Sequence, residues 1–246
     1  MSDDTIAVLA ENLSVRYKIR SQRNLNALQI IRSGFRTRAT TYVDSLMGID
    51  LRIDTGEVVG LVGRNGAGKS TLLNSIAGVI APATGRVLVR AQPALLSVGA
   101  ALIPKLSGNR NITIGALAMG IDPGEIPEVR AFVHDFTELG NALDRPLNTY
   151  STGMRARLAF ALTTYRLPDI MLIDEALAVG DKQFKSKSLA RVREMQERAG
   201  TVVMATHNMR EIRRTCNRVI WLDAGGIVMD GPVKQVLAAY DPDDLN

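Results

Sequence analysis

The run Gly63-Arg64-Asn65-Gly66-Ala67-Gly68-Lys69-Ser70-Thr71 satisfies every required position of the pattern G-x-x-x-x-G-K-[ST]. Such a loop needs a strand before it and a helix after it, and the flanking sequence provides both. Val58-Val59-Gly60-Leu61-Val62 is an apolar strand-like run, and Leu72, Leu73, Ile76, Ala77 and Ile80 recur at helical spacing, predicting a helix that runs on through Ile80. The chain is therefore expected to be α/β. Glycines let consecutive backbone N–H groups converge on phosphate oxygens, and the helix N-terminus adds partial positive charge. Lys69 is placed to reach β- and γ-phosphates, and the Ser70 hydroxyl to meet Mg²⁺.

The rest of the chain narrows the setting. Its 246 residues, 46% of them hydrophobic, suffice for one large domain and show no repeat or disordered composition. The net charge is +5, but 30 basic residues are interleaved with 25 acidic ones, which reads as a solvated surface rather than a nucleic-acid platform. With 5 Phe, 5 Tyr and 1 Trp, stacking surfaces for single strands are scarce. Cys216 stands alone, so an internal disulfide is excluded and a small packed residue in a reducing compartment is expected. The acidic stretch Met1–Thr5 lacks signal-peptide features, and no apolar run reaches the ~18 residues needed to span a bilayer.

In chain order, Leu13, Val15 and Tyr17 alternate onto one face of a strand. Residues 18–42 carry Lys18, Arg20, Arg23, Arg32, Arg36 and Arg38 and no acid. If 24–38 is helical, Leu25, Leu28, Ile31 and Phe35 share one face, compatible with a basic amphipathic helix at a membrane surface or with an ordinary insertion. Pro82–Gly85 turns into a short strand, and 128–139 reads as a helix whose His134 is a surface residue. Ser151 is a candidate N-cap before a helix bearing Leu158, Ala159, Leu162 and Tyr165. Ile170–Ile173 is a buried strand ending at Asp174 and Glu175, suited to the Mg²⁺ sphere and to polarising water. Thr201–Thr206 is another, with His207 at its end, and 219–223 pairs with 226–229 through a glycine turn.

Taken in order, Tyr17, the loop 63–71, Tyr150-Ser151-Thr152-Gly153-Met154, Ile170 to Glu175, Ala178-Val179-Gly180-Asp181 and His207 resemble an ABC-transporter nucleotide-binding domain over essentially the whole chain. The resemblance implies a P-loop NTPase with a RecA-like core, an antiparallel β subdomain and a helical signature subdomain at about 95–165. It implies that Tyr17 stacks on adenine, that Gly63, Asn65, Gly66, Ala67, Gly68, Lys69, Ser70 and Thr71 hold the phosphates of ATP, and that Ser70 and Asp174 hold Mg²⁺. Glu175 matches the general base and His207 the γ-phosphate switch. Ser151 and Gly153 match the signature that closes over ATP on a second subunit, and Asp181 the loop between subunits.

Two departures narrow the group. The signature begins with Tyr150 instead of leucine, and the usual glutamine is missing: Gln92 falls too early and Leu95–Ala100, including Ser97, occupies its place. With the insertion after Tyr17, these resemble the ATP-binding subunits of exporters for lipid-linked polysaccharides, O antigens, galactans and teichoic acids. That resemblance implies a homodimer working on two copies of a transmembrane permease at the cytoplasmic face of the membrane. It also implies a gate helix within 18–42 at the membrane surface and, in this chain, no C-terminal carbohydrate-binding domain. A soluble ABC ATPase acting on nucleic acid, another export system and a P-loop kinase are the competing readings. The roughly eighty residues between Lys69 and Ser151 hold no sustained heptads, and a kinase leaves the signature and His207 without a role.

Overall fold

The computed structural model describes residues 5–20, 40–96, 102–174, 182–198 and 200–241. In chain order these form β1 (Ile6–Arg20), β2 (Thr40–Asp54), β3 (Val58–Val62), α1 (Lys69–Ile76), β4 (Thr84–Val89), β5 (Ala94–Leu96), α2 (Gly108–Ala118) and α3 (Ile126–Thr137). There follow α4 (Thr152–Thr163), β6 (Ile170–Ile173), α5 (Lys182–Arg198), β7 (Thr201–Ala205), α6 (Met209–Thr215), β8 (Arg218–Asp223), β9 (Gly226–Pro232) and α7 (Val233–Tyr240).

Among the described residues the strands make a six-stranded sheet in the order β5-β6-β7-β3-β8-β9 and a three-stranded sheet in the order β2-β1-β4. In the larger sheet β5, β6, β7, β3 and β8 run parallel and β9 closes the edge antiparallel. Every residue of β6 and β7 is buried, as expected of parallel strands covered on both faces. Close contact at β3 depends on Gly60, where a Cβ would come within 3.1 Å of Ile212 and 3.2 Å of the Cys216 Sγ. Cys216 thus packs against the back of the central strand, and burial pushes its thiol up to about 11, far from a reactive thiolate.

The smaller sheet is antiparallel. β1 and β2 stay paired out to Arg20↔Thr40, so the outer parts of the basic 18–42 stretch are strand backbone; 21–39 lie outside the described residues. Leu13 and Val15 are buried, and Tyr17, farther along β1, is 39% exposed; the extra residue at the nearby register shift lies in β2, between Leu46 and Asp44. The helix after the phosphate loop ends earlier than its apolar spacing suggests. Gly78 takes φ +72°, its N–H bonds Ser75 O at 3.1 Å and the Val79 N–H bonds Asn74 O at 2.9 Å, a Schellman closure after Ile76.

The two sheets meet at a half-buried guanidinium. Arg218 donates to both carboxylate oxygens of Asp230 at 2.7 Å, to Glu57 at 2.9 Å and to the Arg52 carbonyl at 2.9 Å, which holds its pKa above the ordinary arginine value. By contrast the Arg16–Asp44 pair, with both side chains over 40% exposed, is screened by water and adds little.

A separate apolar cluster gathers α2, α3 and one face of α4 around Ile112, Val129, Val133, Leu147, Leu158 and Leu162. Tyr150 is sealed into it. Its hydroxyl donates to the Ala142 carbonyl at 2.6 Å and occupies space that a Cβ on Gly108 would invade at 2.5 Å. Burial raises the phenol's pKa. Between this cluster and the large sheet, Phe132, Phe136, Phe160 and Phe184 form a ring chain with centroids 5.5–6.0 Å apart. Arg191 seals the far end of α4 by donating to the carbonyls of Thr164 at 2.7 Å and Tyr165 at 3.2 Å.

Ser188 is 2% exposed on the buried face of α5, with its hydroxyl unsatisfied among the described residues. Ser188→Ala is expected to stabilise the protein by about 1 kcal/mol, because an unmet buried hydroxyl carries a desolvation cost with no return; urea unfolding followed by circular dichroism measures it. Tyr150→Phe has the opposite sign. It removes a buried hydrogen bond, although the Ala142 carbonyl keeps the Arg145 N–H at 2.9 Å, and is expected to cost about 1 kcal/mol in the same assay.

Candidate functional site

Three neighbouring parallel strands, β6, β7 and β3, end at the same edge of the large sheet. β3 runs into the phosphate loop, β6 into Asp174, and β7 into Thr206 and His207. Ligands of open parallel sheets collect at this carboxyl edge. The topology therefore brings together three of the stretches singled out in the sequence. Asp174 is half-buried and His207 exposed.

The loop itself is shaped by glycine. Gly63, Gly66 and Gly68 take φ of +146°, +84° and +109°. A Cβ on Gly63 would lie 2.2 Å from the Leu222 carbonyl, and one on Gly68 2.8 Å from the Ser45 carbonyl, so the loop is pressed against β8 and β2 from behind. At Gly66 a Cβ would meet nothing within 4 Å, so the loop's other side opens outward. Lys69 is buried, and its ammonium donates to the carbonyls of Gly63 at 2.6 Å and Arg64 at 3.1 Å, lying across the loop's own concavity. α1 begins with Gly68 as an N-cap lacking any side-chain cap, so the first-turn N–H groups of Lys69, Ser70 and Thr71 have no intrahelical acceptor. The Ser70 side chain points to an exposed surface. The remaining loop residues divide between an exposed Asn65 and a buried Ala67.

This donor set fits a polyphosphate. Glycine-shaped backbone, an uncapped helix start and a buried ammonium all present positive charge to one concavity. It also fits Mg²⁺, because a hard oxygen donor at Ser70, after β3, and a carboxylate at Asp174, after β6, lie at the same sheet edge with only β7 between their strands.

Tyr17 reaches the loop from the smaller sheet: its hydroxyl lies 3.3 Å from Thr71 Oγ1, which is also 2.8 Å from Ser45 Oγ. Ser45 was not legible as a site residue, because nothing local in the sequence marks it. Behind the loop, the Gly225 N–H bonds Ala67 O at 3.2 Å and the Met47 N–H bonds Gly225 O at 2.9 Å. The turn between β8 and β9, with Ala224 at φ +44° and Gly225 at φ +82°, makes that approach possible. Asn208 and Thr206 order the chain beside His207: Asn208 caps α6 by accepting from the Glu211 N–H, and Thr206 accepts from the Asn208 N–H.

Ser151 and Gly153 lie apart from these groups, at the start of α4 in the helical region. Ser151 is exposed and caps α4 by accepting from the Met154 N–H at 3.2 Å, with Gly153 half-buried behind it. Glu175, Ala178 to Asp181 and Ser97 lie outside the described residues.

The sequence model for the family described as "ABC transporter" matches residues 46–178, more than half of the chain. The teichoic acids export ATP-binding protein TagH of Lactococcus lactis subsp. lactis is 37% identical over 244 residues, 98% of this chain and 52% of that protein. The O-antigen export system ATP-binding protein RfbB of Myxococcus xanthus is 39% identical over 214 residues, 87% of this chain and 49% of that protein. The chain thus spans about half the length of these relatives. Among solved structures, a dimeric post-hydrolysis ATP-binding cassette bound to ADP and Pi superposes with a TM-score of 0.68 at 21% identity, covering 92% of this chain and 98% of that one. An ATP-binding subunit of an ABC transporter gives 0.70 at 20% identity, covering 95% and 93%. These likenesses identify the fold as the α/β ATP-binding-cassette fold, with its antiparallel sheet and helical part, and the match across the phosphate loop, Ser151 and Asp174 places this chain in the ABC transporter family.

Proposed function

We propose that this chain is the ATP-hydrolysing subunit of an exporter that moves a lipid-linked polysaccharide across the cytoplasmic membrane. The observation that carries the reading is the 34–39% identity to teichoic acid and O-antigen export ATP-binding proteins along most of the chain. A single cassette spanning 1–246 would work as a homodimer on two permease copies, held at the cytoplasmic face by that partner. No helix of the described residues is long and apolar enough to cross a membrane. The basic 18–42 stretch would meet the membrane surface.

In this reading Tyr17 receives the adenine ring, and the amides of 63–71 with Lys69 receive the phosphates. Lys69 already lies across the concavity, so binding exchanges its bonds to the Gly63 and Arg64 carbonyls for phosphate oxygens. Mg²⁺, held by Ser70 and Asp174, would neutralise charge on the β- and γ-phosphates. Glu175 takes a proton from water as its oxygen bonds to the γ-phosphorus and the bond to the bridging oxygen breaks, releasing ADP and phosphate. His207 contacts the γ-phosphate. Ser151, Gly153 and Asp181 act on nucleotide held by the other copy. A pocket built from two copies closes only while ATP bridges them, so hydrolysis releases the clamp.

Glu175→Gln is expected to keep ATP binding, lose steady-state hydrolysis by at least about a hundredfold, as for loss of a general base, and trap a dimer on size exclusion with ATP. Undiminished turnover would remove Glu175 as the base. Rapid depletion of the protein in cells is expected to accumulate one polymer on its lipid carrier, read by mass profiling of lipid-linked glycans. An unchanged profile would remove the polysaccharide assignment while leaving the ATPase.

A further inference from the structure

Thr71 Oγ1 is the meeting point of two side chains from two different strands. Tyr17 approaches from β1 at 3.3 Å and Ser45 from β2 at 2.8 Å, while Thr71 itself is only 8% exposed. Tyr17 pairs across the sheet with Val43, two residues from Ser45, so both hydroxyls descend onto the first turn of α1 from one end of the β1–β2 ladder.

A helical threonine divides between rotamers because its hydroxyl can instead bond a carbonyl one turn back. For Thr71 that carbonyl is Ala67 O, which already receives the Gly225 N–H at 3.2 Å. The shorter contact, to Ser45 at 2.8 Å, holds Thr71 Oγ1 where the Tyr17 hydroxyl reaches it. Ser45 is itself fixed in place, since its carbonyl fills the space where a Cβ on Gly68 or Gly225 would come within 2.8 Å. The Tyr17 ring, by contrast, is 39% exposed, so this bond is its tether to the loop.

We infer that Ser45 is a positioning residue of the nucleotide site: acting through Thr71, it anchors the Tyr17 hydroxyl and sets the spacing between the ring that takes the base and the loop that takes the phosphates. The inference rests on the nucleotide-binding reading above and adds to it a residue and a distance constraint. A ligand that spans both subsites feels the spacing. One that occupies only the phosphate loop does not.

The test compares two probes by isothermal titration on the full chain with Mg²⁺: the non-hydrolysable imido analogue of ATP, and inorganic tripolyphosphate. Tyr17→Phe keeps the ring and removes only the tether, and Ser45→Ala removes the contact that orients Thr71. Each is expected to weaken the ATP analogue about three- to tenfold, the range for one hydrogen bond of ordinary net worth, while tripolyphosphate affinity stays within twofold. Thr71→Ser, which keeps the hydroxyl, is expected to retain most of the preference, and Ser45→Ala combined with Tyr17→Phe to be no worse than Tyr17→Phe alone. Equal loss for both probes, or losses that multiply in the double variant, would overturn the inference. Should Ser45→Ala fail to fold, Tyr17→Phe alone decides it: an unchanged preference refutes the tether. If the unmodified chain itself shows no preference for the ATP analogue over tripolyphosphate, the nucleotide-binding reading fails instead.

Discussion

The geometry of the site depends on backbone packed directly against backbone behind the phosphate loop. Ala67 O, the Gly225 peptide and the Met47 N–H form one chain of hydrogen bonds from the loop through the β8–β9 turn to β2. Three glycines make it possible: at Gly63, Gly68 and Gly225 a side chain would collide with a main-chain carbonyl at 2.2–2.8 Å. A loop whose amides must converge on phosphate cannot supply its own rigidity, since every N–H turned toward a ligand is withheld from local structure. Rigidity has to come from behind, from two sheets at once.

That requirement explains why the smaller sheet sits where it does. β2 provides the Met47 N–H and the Ser45 carbonyl to the back of the loop, and its end is tied to the larger sheet by Arg218 acting on Glu57, Asp230 and the Arg52 carbonyl. Hydrogen bonds to a charged partner are worth about 1.5–3 kcal/mol each, against fractions of that for the exposed pairs on the sheet's outer face. Position, not the number of ion pairs, decides which electrostatics hold the site. Cys216 belongs to the same scaffold, as packing beneath Gly60, and not to the chemistry.

What could be read from the sequence was whatever is local. The phosphate loop, the buried strands before Asp174 and His207, the Ser151 cap and the closing hairpin each announce themselves within ten residues or so, and all appear among the described elements. The end of α1 was readable too: Gly78 is the left-handed residue that closes it, yet Ile80 lies on the apolar period and drew the expected helix two residues past that stop. Alternation grouped Leu13, Val15 and Tyr17, but it sets a face and not a depth: Leu13 and Val15 are buried and Tyr17 is 39% exposed. Ser45, Gly225 and the fit of Tyr150 over Gly108 were beyond reach, since their partners lie 26, 158 and 42 residues away and only the folded chain brings them together.

The helical region shows the same division of labour between sequence and packing. Ser151 caps α4 by itself, a local matter, but the attitude of α4 is set at both ends by distant groups. At its start, Tyr150 is locked by the Ala142 carbonyl; at its end, Arg191 of α5 takes the Thr164 and Tyr165 carbonyls and lies over the Phe132 ring at 5.3 Å. Between them the stacked rings of Phe136 and Phe160 meet Phe184 edge-on, so α3, α4 and α5 pack as one unit. Because aromatic contacts of this kind are worth about 0.5–1.5 kcal/mol each beyond their burial, tilting α4 against α5 costs several of them together with the Arg191 bonds. The exposed start of α4 is therefore held to α5 through the protein interior rather than across its surface.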